Sequence, residues 1–242
     1  MKRWMAWTVV AVLSIVANAT DALPRSYGLY HDSAEDHGTA IVVTNLDDSE
    51  VQAQLSAFDA YGNEVASADV LLAGFASEAV FLEVDSEVGG AWGLVRVETD
   101  GQVALAAWFG IEGQWWAVEN VVGSLPSLRD LEYSGYWQTT DYANTTSRTT
   151  YLSLVNPYDE FVQGEIYLYN ELGSLATTRS FGLDARETAF VSLGDGVDVD
   201  DSTWGMVDIH CSAPILLVTE YVDADGGLID LDLVSSFYLV DP

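Results

Sequence analysis

The sequence predicts an all-β protein made of two tandem antiparallel β-sandwich domains, which arise from an internal duplication and follow a signal peptide. Three observations support this fold class. A pattern of residues recurs at an offset of about 111 positions. Short segments alternate apolar and polar side chains between turn signals. No stretch after the N-terminal segment sustains helical periodicity for three turns.

Residues 1–19 have the features of a secretory signal peptide. Lys2 and Arg3 precede an apolar run at 4–16, which is too short to span a bilayer comfortably. The small-x-small sequence at 17–19 predicts cleavage after residue 19; a second site follows directly, and an uncleaved anchor is the alternative. We therefore expect an exported protein that is periplasmic, bound to the cell surface or extracellular.

The internal repeat is the strongest pattern in the chain. The segment 39–45 matches 150–156, and the segment 92–97 matches 204–209 after a two-residue insertion. Further pairs keep the same order along about 80 residues: Asp48 with Asp159, Val51 with Val162, Phe58 with Tyr169, Gly62 with Gly173, and Phe109 with Tyr221. Ordered landmarks of this kind indicate a duplication rather than chance similarity.

Each repeat reads as about seven short strands. Those of the first repeat include 52–58, 65–72, 79–84, 92–99, 103–109 and 115–121. This number of strands, with turns every 8–12 residues, is typical of a sandwich. The Pro- and Ser-containing segment 123–129 indicates a short linker. The sequence thus predicts a first domain at 20–126 and a second at 127–242.

The charge of the chain limits its partners. The 242 residues include 8 Lys+Arg and 38 Asp+Glu, for a formal net charge of −30. Such a charge argues against binding to nucleic acid or anionic membranes. Hydrophobic residues make up 49% of the chain, so its acidity does not indicate disorder. The acidity fits a saline habitat and also an ordinary soluble exported protein.

The two repeats share three structural motifs: a strand that ends in Asn before a polar turn, a pair of strands joined across a short connection, and a glycine-led hairpin. The strand that ends in Asn and its polar turn lie at 45–48 and 156–159. The joined pair of strands lies at 72–79 and 183–189, and the hairpin lies at 93–103 and 205–215. This pattern resembles the tandem immunoglobulin-like repeats of exported, mostly uncharacterised bacterial proteins. The resemblance implies fold and export, and a role as a surface, adhesion or accessory module.

His210 and Cys211 are neighbours on a predicted strand, so their side chains point to opposite faces. We expect Cys211 to be a small buried hydrophobe rather than a nucleophile, because a reactive thiol needs an exposed, electropositive setting. As the only cysteine, it excludes an intrachain disulfide. Trp92 and Trp204 each precede a glycine at equivalent positions, and we assign both to the cores.

Two loops are candidates for metal binding. His31, Glu35, Asp36 and His37 offer imidazole and carboxylate groups, but their spacing matches no recognised zinc motif, which favours a solvated loop. The better candidate is an acidic loop in the second repeat, where calcium would find closely spaced oxygens. Its possible ligands are Asp195, Asp198, Asp200 and Asp201. A solvated acidic loop is the alternative.

The last hairpin of the first repeat suggests a ligand site. Trp108, Trp115 and Trp116 surround one turn, whereas the second repeat has no tryptophan there and carries Glu220 at the position of Trp108. Alternation points Trp108 and one of the other two outward. They would form a flat apolar platform for a sugar or a partner protein, unless the second domain covers it.

No enzyme signature is present. The sequence lacks a Gly-x-Ser-x-Gly elbow, a phosphate-binding glycine-rich loop and a His-Glu-x-x-His motif. We therefore predict a non-catalytic binding or adhesion module with a protein or glycan partner, no membrane insertion after signal cleavage, and no cofactor unless calcium binds. A structural or assembly component that binds another protein is the alternative, and a hydrolase is a third hypothesis.

Overall fold

The computed structural model describes residues 25–33, 37–82, 92–111, 114–121, 135–145, 147–193, 203–224, 228–234 and 238–239. Every regular element in these ranges is a β-strand, so the predicted all-β class is confirmed. The predicted signal peptide, the linker at 123–129 and the ends of the chain lie outside the described residues. No helix in the described ranges has the length and apolar character needed to cross a membrane.

Seventeen strands are described. In the first half they are β1 (Arg25–Asp32), β2 (His37–Asn45), β3 (Val51–Phe58), β4 (Glu64–Leu72), β5 (Ser77–Leu82), β6 (Trp92–Thr99), β7 (Val103–Ile111) and β8 (Gln114–Val121). In the second half they are β9 (Tyr136–Asn144), β10 (Arg148–Val155), β11 (Val162–Asn170), β12 (Leu175–Leu183), β13 (Thr188–Ser192), β14 (Thr203–Cys211), β15 (Leu216–Asp223), β16 (Leu228–Val234) and β17 (Tyr238–Leu239).

The strands form four antiparallel sheets. Sheet I has the order β1-β6-β3-β4 and sheet II the order β5-β2-β7-β8. Sheet III has the order β12-β11-β14-β9-β17 and sheet IV the order β13-β10-β15-β16. Apart from β17, each strand of the second half therefore takes the place of one strand of the first half.

The pairing registers of the two halves also match. Thr39 pairs with Phe109 between β2 and β7, and Thr150 pairs with Tyr221 between β10 and β15. The same shift of 111 or 112 positions relates the β1–β6 pairing to the β9–β14 pairing, and the β3–β6 pairing to the β11–β14 pairing. Each residue in these strands consequently has a defined counterpart in the other half.

Alternating side chains of each sheet pair fill an apolar core. Sheets I and II enclose one cluster, and sheets III and IV enclose another. Strand alternation in β7, β14 and β15 and in the residue before β15 points one set of side chains inward, and all of them are buried: Val103, Leu105, Ala107, Phe109, Val207, Ile209, Cys211, Ile215, Leu217, Thr219 and Tyr221. Burial of these faces supplies the main driving force for folding.

The two halves also pack against each other. The face of sheet IV that points away from sheet III contributes Val155, Leu216 and Val218 to the core cluster of the first half. Trp92 contacts Phe190 with ring centroids 5.7 Å apart. The backbone N–H of Thr188 donates a hydrogen bond of 3.0 Å to the carbonyl of Ala60. The outer face of sheet I is thus covered by the outer face of sheet IV.

Charged side chains complete this contact between the halves. Asp159 accepts a hydrogen bond of 3.0 Å from the Arg96 Nη1 and lies 3.4 Å from the Arg186 Nε. Both guanidinium groups lie over the ring of Phe58, at 5.7 and 4.9 Å from its centroid. Glu220 accepts hydrogen bonds from Ser153 at 2.9 Å and from Tyr30 at 3.3 Å. Much of the outward side of sheet IV therefore lies against the first half.

The Trp-Gly pair that recurs in both halves was expected to place a tryptophan in each core, but the structure gives a different reason for the repeat. Trp204 is 59% exposed, so its assignment to the core was wrong, and Trp92 is only partly buried. The glycines instead lie against the neighbouring strand. A Cβ at Gly93 would be 2.5 Å from the carbonyl oxygen of Phe58, and one at Gly205 would be 2.0 Å from that of Tyr169. The repeat retains the glycine because the backbones approach closely.

Gly205→Ala is expected to lower the free energy of unfolding by about 1–3 kcal/mol, because the new methyl group overlaps the carbonyl of Tyr169. Urea denaturation measures this change. Gly135→Ala is the matched control, since a Cβ there meets only the carbonyl of Cys211 at 3.7 Å. Equal stability of the two variants would contradict the steric explanation.

Candidate functional site

The outer face of sheet III carries a row of three rings. The indole of Trp137 stacks on the imidazole of His210, with centroids 4.3 Å apart and an interplanar angle of 13°. Tyr167 lies on the other side of His210, at 4.6 Å and 47°. Trp137 and His210 are direct cross-strand partners on β9 and β14, so they share one face of the sheet. Trp137 remains 41% exposed.

This row borders a groove of about 640 Å³. Its polar lining includes Gln163, Glu165 and Ser180, and the ring of Phe181 lies close to Gly164. A Cβ at Gly164 would be 2.2 Å from the carbonyl oxygen of His210 and 2.6 Å from the Phe181 ring, so only glycine fits there. The volume lies within the range of ligand sites in proteins.

The groove offers hydrogen-bonding groups and negative charge. The hydroxyl of Tyr167 donates a hydrogen bond of 2.5 Å to Glu165. This bond raises the pKa of Tyr167, so the phenol stays neutral and holds the carboxylate in place. None of the described residues lining the groove is a lysine or an arginine. Neutral and cationic groups therefore suit the groove better than anions.

The first half shows that folding does not require these rings. The counterparts of Trp137 and His210 are Ser26 and Glu98, which pair in the same way. The counterpart of Tyr167 is Ser56 on β3. The same strand order and register thus form with small or charged residues at all three ring positions.

The predicted platform on the first half lies on sheet II. Trp108 points outward and is 43% exposed, so the second half does not cover it. Ala40 pairs with Trp108 on one side and with Phe81 on the other, which places two large apolar residues on this face. Trp115 pairs with Gly110 and Trp116 with Phe109, but the side chains of both tryptophans lie outside the described residues.

The structure describes neither of the two predicted metal-binding loops completely. Asp195, Asp198, Asp200 and Asp201 lie outside them, and calcium binding there stays a prediction. His31 is buried, its Nε2 is 2.8 Å from the carbonyl oxygen of Phe58, and burial lowers its pKa.

Of the other members of the histidine cluster, the structure describes His37. The Nδ1 of His37 lies 2.5 Å from the Oδ2 of Asp32. Glu35 and Asp36 lie outside the described residues. The described residues contain no group of three side chains suited to a metal ion.

Cys211 is buried, as expected from strand alternation. Burial raises the pKa of its thiol to about 12, so the nucleophilic thiolate is scarce at neutral pH. Its neighbour His210 lies on the opposite face in the ring row. Sequence reasoning weighed His210 only as a partner of Cys211 and did not consider Trp137 or Tyr167. The available signal was that neither aromatic residue has an aromatic counterpart in the first repeat.

Comparisons with known proteins leave the chain without a family. No family model and no curated protein matches it. Among solved structures, it is similar to a glycosyl hydrolase family 2 member from Bacteroides cellulosilyticus at 12% identity, which covers 86% of this chain and 28% of that one with a TM-score of 0.17. It is also similar to a calcium binding mutant of Bacteroides uniformis β-glucuronidase 2 at 11% identity. That match covers 92% of this chain and 27% of the other, with a TM-score of 0.17.

The chain spans less than a third of the length of these two structures. Their TM-scores are too low for an inference about fold or function. The resemblance to tandem immunoglobulin-like repeats therefore stays a prediction from the sequence.

Proposed function

We propose that this protein is an exported, non-catalytic binding module whose ligand site is the groove of sheet III. In this proposal a signal peptide at 1–19 precedes two immunoglobulin-like β-sandwich domains at 20–126 and 127–242, which arose by duplication. The matched strand orders and registers of the two halves support the duplication. The apolar clusters between paired sheets support the sandwich architecture.

One observation carries the functional proposal: the exposed Trp137–His210–Tyr167 row borders a groove and is absent from the equivalent face of the first half. Partly exposed aromatic rings cost free energy in water. Because the repeat folds without them, a role in binding explains their presence better than a role in folding.

The geometry assigns a task to each group. The open part of the Trp137 ring would contact the apolar face of a sugar or an apolar side chain of a partner protein. Gln163, Glu165 and Ser180 would form hydrogen bonds along the same groove. Tyr167 positions Glu165 through their hydrogen bond. A ligand that combines a flat apolar surface with hydroxyl or amine groups fits this arrangement.

Trp137→Ala is expected to weaken binding at least about tenfold, because a tryptophan that anchors a binding site commonly contributes about 2 kcal/mol or more. A glycan array, together with adhesion of the labelled protein to intact cells, provides the measurement. Tyr61→Ala is the control, since Tyr61 is exposed far from the groove in sequence and lies in a turn of the first half. Unchanged binding by Trp137→Ala would refute the assignment of the site.

A further inference from the structure

The contact between the halves joins two outer faces, and the counterparts of both faces carry exposed apolar side chains in the part of the chain that the structure describes. Sheet I packs its outer face against sheet IV through residues such as Trp92, Phe58 and Val218. The counterpart of sheet I is sheet III, and the counterpart of sheet IV is sheet II. Each chain therefore has a second sheet of each kind that forms the internal contact: sheet III, which corresponds to sheet I, on the second half, and sheet II, which corresponds to sheet IV, on the first half.

Large apolar side chains are exposed at both open positions. On sheet III, Met206 is 44% exposed and occupies the position of the fully buried Leu94, beside the exposed Trp204. On the sheet II side, Phe75 is 70% exposed in the turn before β5, and Trp108 occupies the position of Glu220. Exposed apolar groups clustered on two opposite faces mark interaction surfaces.

We propose that copies of this chain associate head to tail, with sheet III of one copy packed on sheet II of the next in the register of the internal contact. Such an interface is heterologous, so each added copy leaves both kinds of face open at the ends and the assembly grows as a chain of copies. This inference goes beyond the proposed ligand site and identifies the occupant of both faces as a second copy.

The turn before β5 shows how closely the two contacts correspond. Phe75 and Arg186 are counterparts, and both have a left-handed backbone, with φ of 58° and 62°. Their N–H groups donate equivalent hydrogen bonds of 3.0 Å, to the carbonyls of Asp47 and Tyr158. Arg186 lies over the ring of Phe58, whose counterpart is Tyr169. In the head-to-tail contact Phe75 therefore covers Tyr169.

The central part of the open contact is also compatible with packing. Val218 and Leu94 belong to the same apolar cluster, and their counterparts are Ala106 and Met206. A larger residue on one side thus meets a smaller one on the other. The counterparts of Thr188 and Ala60 are Ser77 and Glu171, so the backbone hydrogen bond between the halves has an equivalent between copies.

Charge makes this association dependent on salt. The counterparts of Arg96 and Asp159 are Asp208 and Asp48, so an ion pair in the internal contact becomes two facing carboxylates between copies. The net charge of −30 adds long-range repulsion. Molar sodium chloride screens both effects, and a divalent cation would also offset the facing carboxylates.

The groove of sheet III lies outside the proposed contact. In the first half its counterparts include Gln54 and Glu98, and they remain accessible beside the internal interface, where the Glu98 side chain is 44% exposed. A docked copy therefore leaves the groove open. Trp137→Ala is expected to leave association unchanged, which separates a failure of this inference from a failure of the proposed ligand site.

The test uses sedimentation velocity of the mature chain in dilute buffer and in molar sodium chloride. We expect monomers in dilute buffer and a concentration-dependent series of larger species in high salt. Trp204→Ser with Met206→Gln removes the sheet III face, and Phe75→Asn with Trp108→Ser removes the sheet II face. All four changes conserve charge, and asparagine tolerates the left-handed backbone at position 75.

Each double variant alone is expected to remain monomeric in high salt, because it retains one kind of face only. A one-to-one mixture of the two is expected to form dimers that grow no further, since one intact pair of faces remains. Leu71→Ser changes an exposed apolar residue on β4 of sheet I, outside both proposed faces, and is expected to associate like the wild type. A monomeric wild type at high salt, or self-association of either face variant alone, would overturn the proposal.

Discussion

Asn156→Ala is expected to lower the free energy of unfolding by about 3–5 kcal/mol, the largest effect of any single change considered. The buried Asn156 amide donates to the carbonyls of Glu160 at 2.7 Å, Leu183 at 3.4 Å and Asp184 at 2.8 Å. Its Oδ1 accepts the N–H of Tyr158 at 3.0 Å. Alanine leaves these backbone groups inside the protein without their partner. Chemical denaturation monitored by tryptophan fluorescence measures the loss.

The equivalent asparagine of the first half, Asn45, allows the same measurement to be made a second time in this protein. Asn45 makes the equivalent four bonds, to Ser49, Leu72 and Ala73 through Nδ2 and from the N–H of Asp47 through Oδ1. Asn45→Ala is therefore expected to cost a similar amount. Asn63→Ala is the control, because Asn63 is exposed and its amide donates hydrogen bonds to Asp59 alone among the described residues. A loss below about 1 kcal/mol for Asn156→Ala would contradict the proposed role of these residues.

Glu220→Gln is expected to stabilise the protein above neutral pH. Glu220 lies between the halves, and desolvation raises the pKa of its carboxyl to about 7. Asp32 also raises this pKa, whereas the hydrogen bonds from Ser153 and Tyr30 and the charge of His37 lower it. The folded state therefore holds a proton that the unfolded state releases near pH 4.5. Stability consequently falls as the pH rises from about 4.5 to about 7.

The expected size of this effect is about 3 kcal/mol, because each unit of pKa difference corresponds to about 1.4 kcal/mol. Glutamine carries no charge and its amide oxygen still accepts a hydrogen bond, so the variant should lack the decline and exceed the wild type above pH 7. Melting temperatures from pH 4 to 9 measure both curves. Glu78→Gln is the control, since Glu78 is exposed on β5. Parallel curves for wild type and Glu220→Gln would contradict the buried position of this carboxyl.

Strand prediction succeeded where one face of a sheet is buried. The predicted strand 92–99 coincides with β6, and 52–58 and 115–121 each differ from the observed strand by one residue at the start. The strand β1 was not predicted. Residues 27–31 of β1 are all buried, so this strand lacks the alternation of apolar and polar residues on which the prediction relied.

Alternation within a strand also cannot predict which outward-facing residues remain exposed to solvent. Alternation correctly placed Trp108 and Glu220 at equivalent outward positions of their sheets. It could not show that one of these faces is open while the other is covered by the opposite half. Glu220, which the local pattern places on the surface, is therefore partly buried between the halves. Trp204, which was assigned to the core by analogy, is 59% exposed.

By itself, the sequence determined the all-β class, the repeat and the inward faces of β7, β14 and β15, because each depends on patterns within a strand or on residues repeated at a fixed offset. Only the tertiary structure decided which outer faces meet, and with them the partial burial of Glu220 and the exposure of Trp137 and Met206. It also brought Trp137, Tyr167 and His210 into one row from three strands far apart in the chain. Contacts of this kind depend on how complete sheets pack, and no local period of the sequence records that packing.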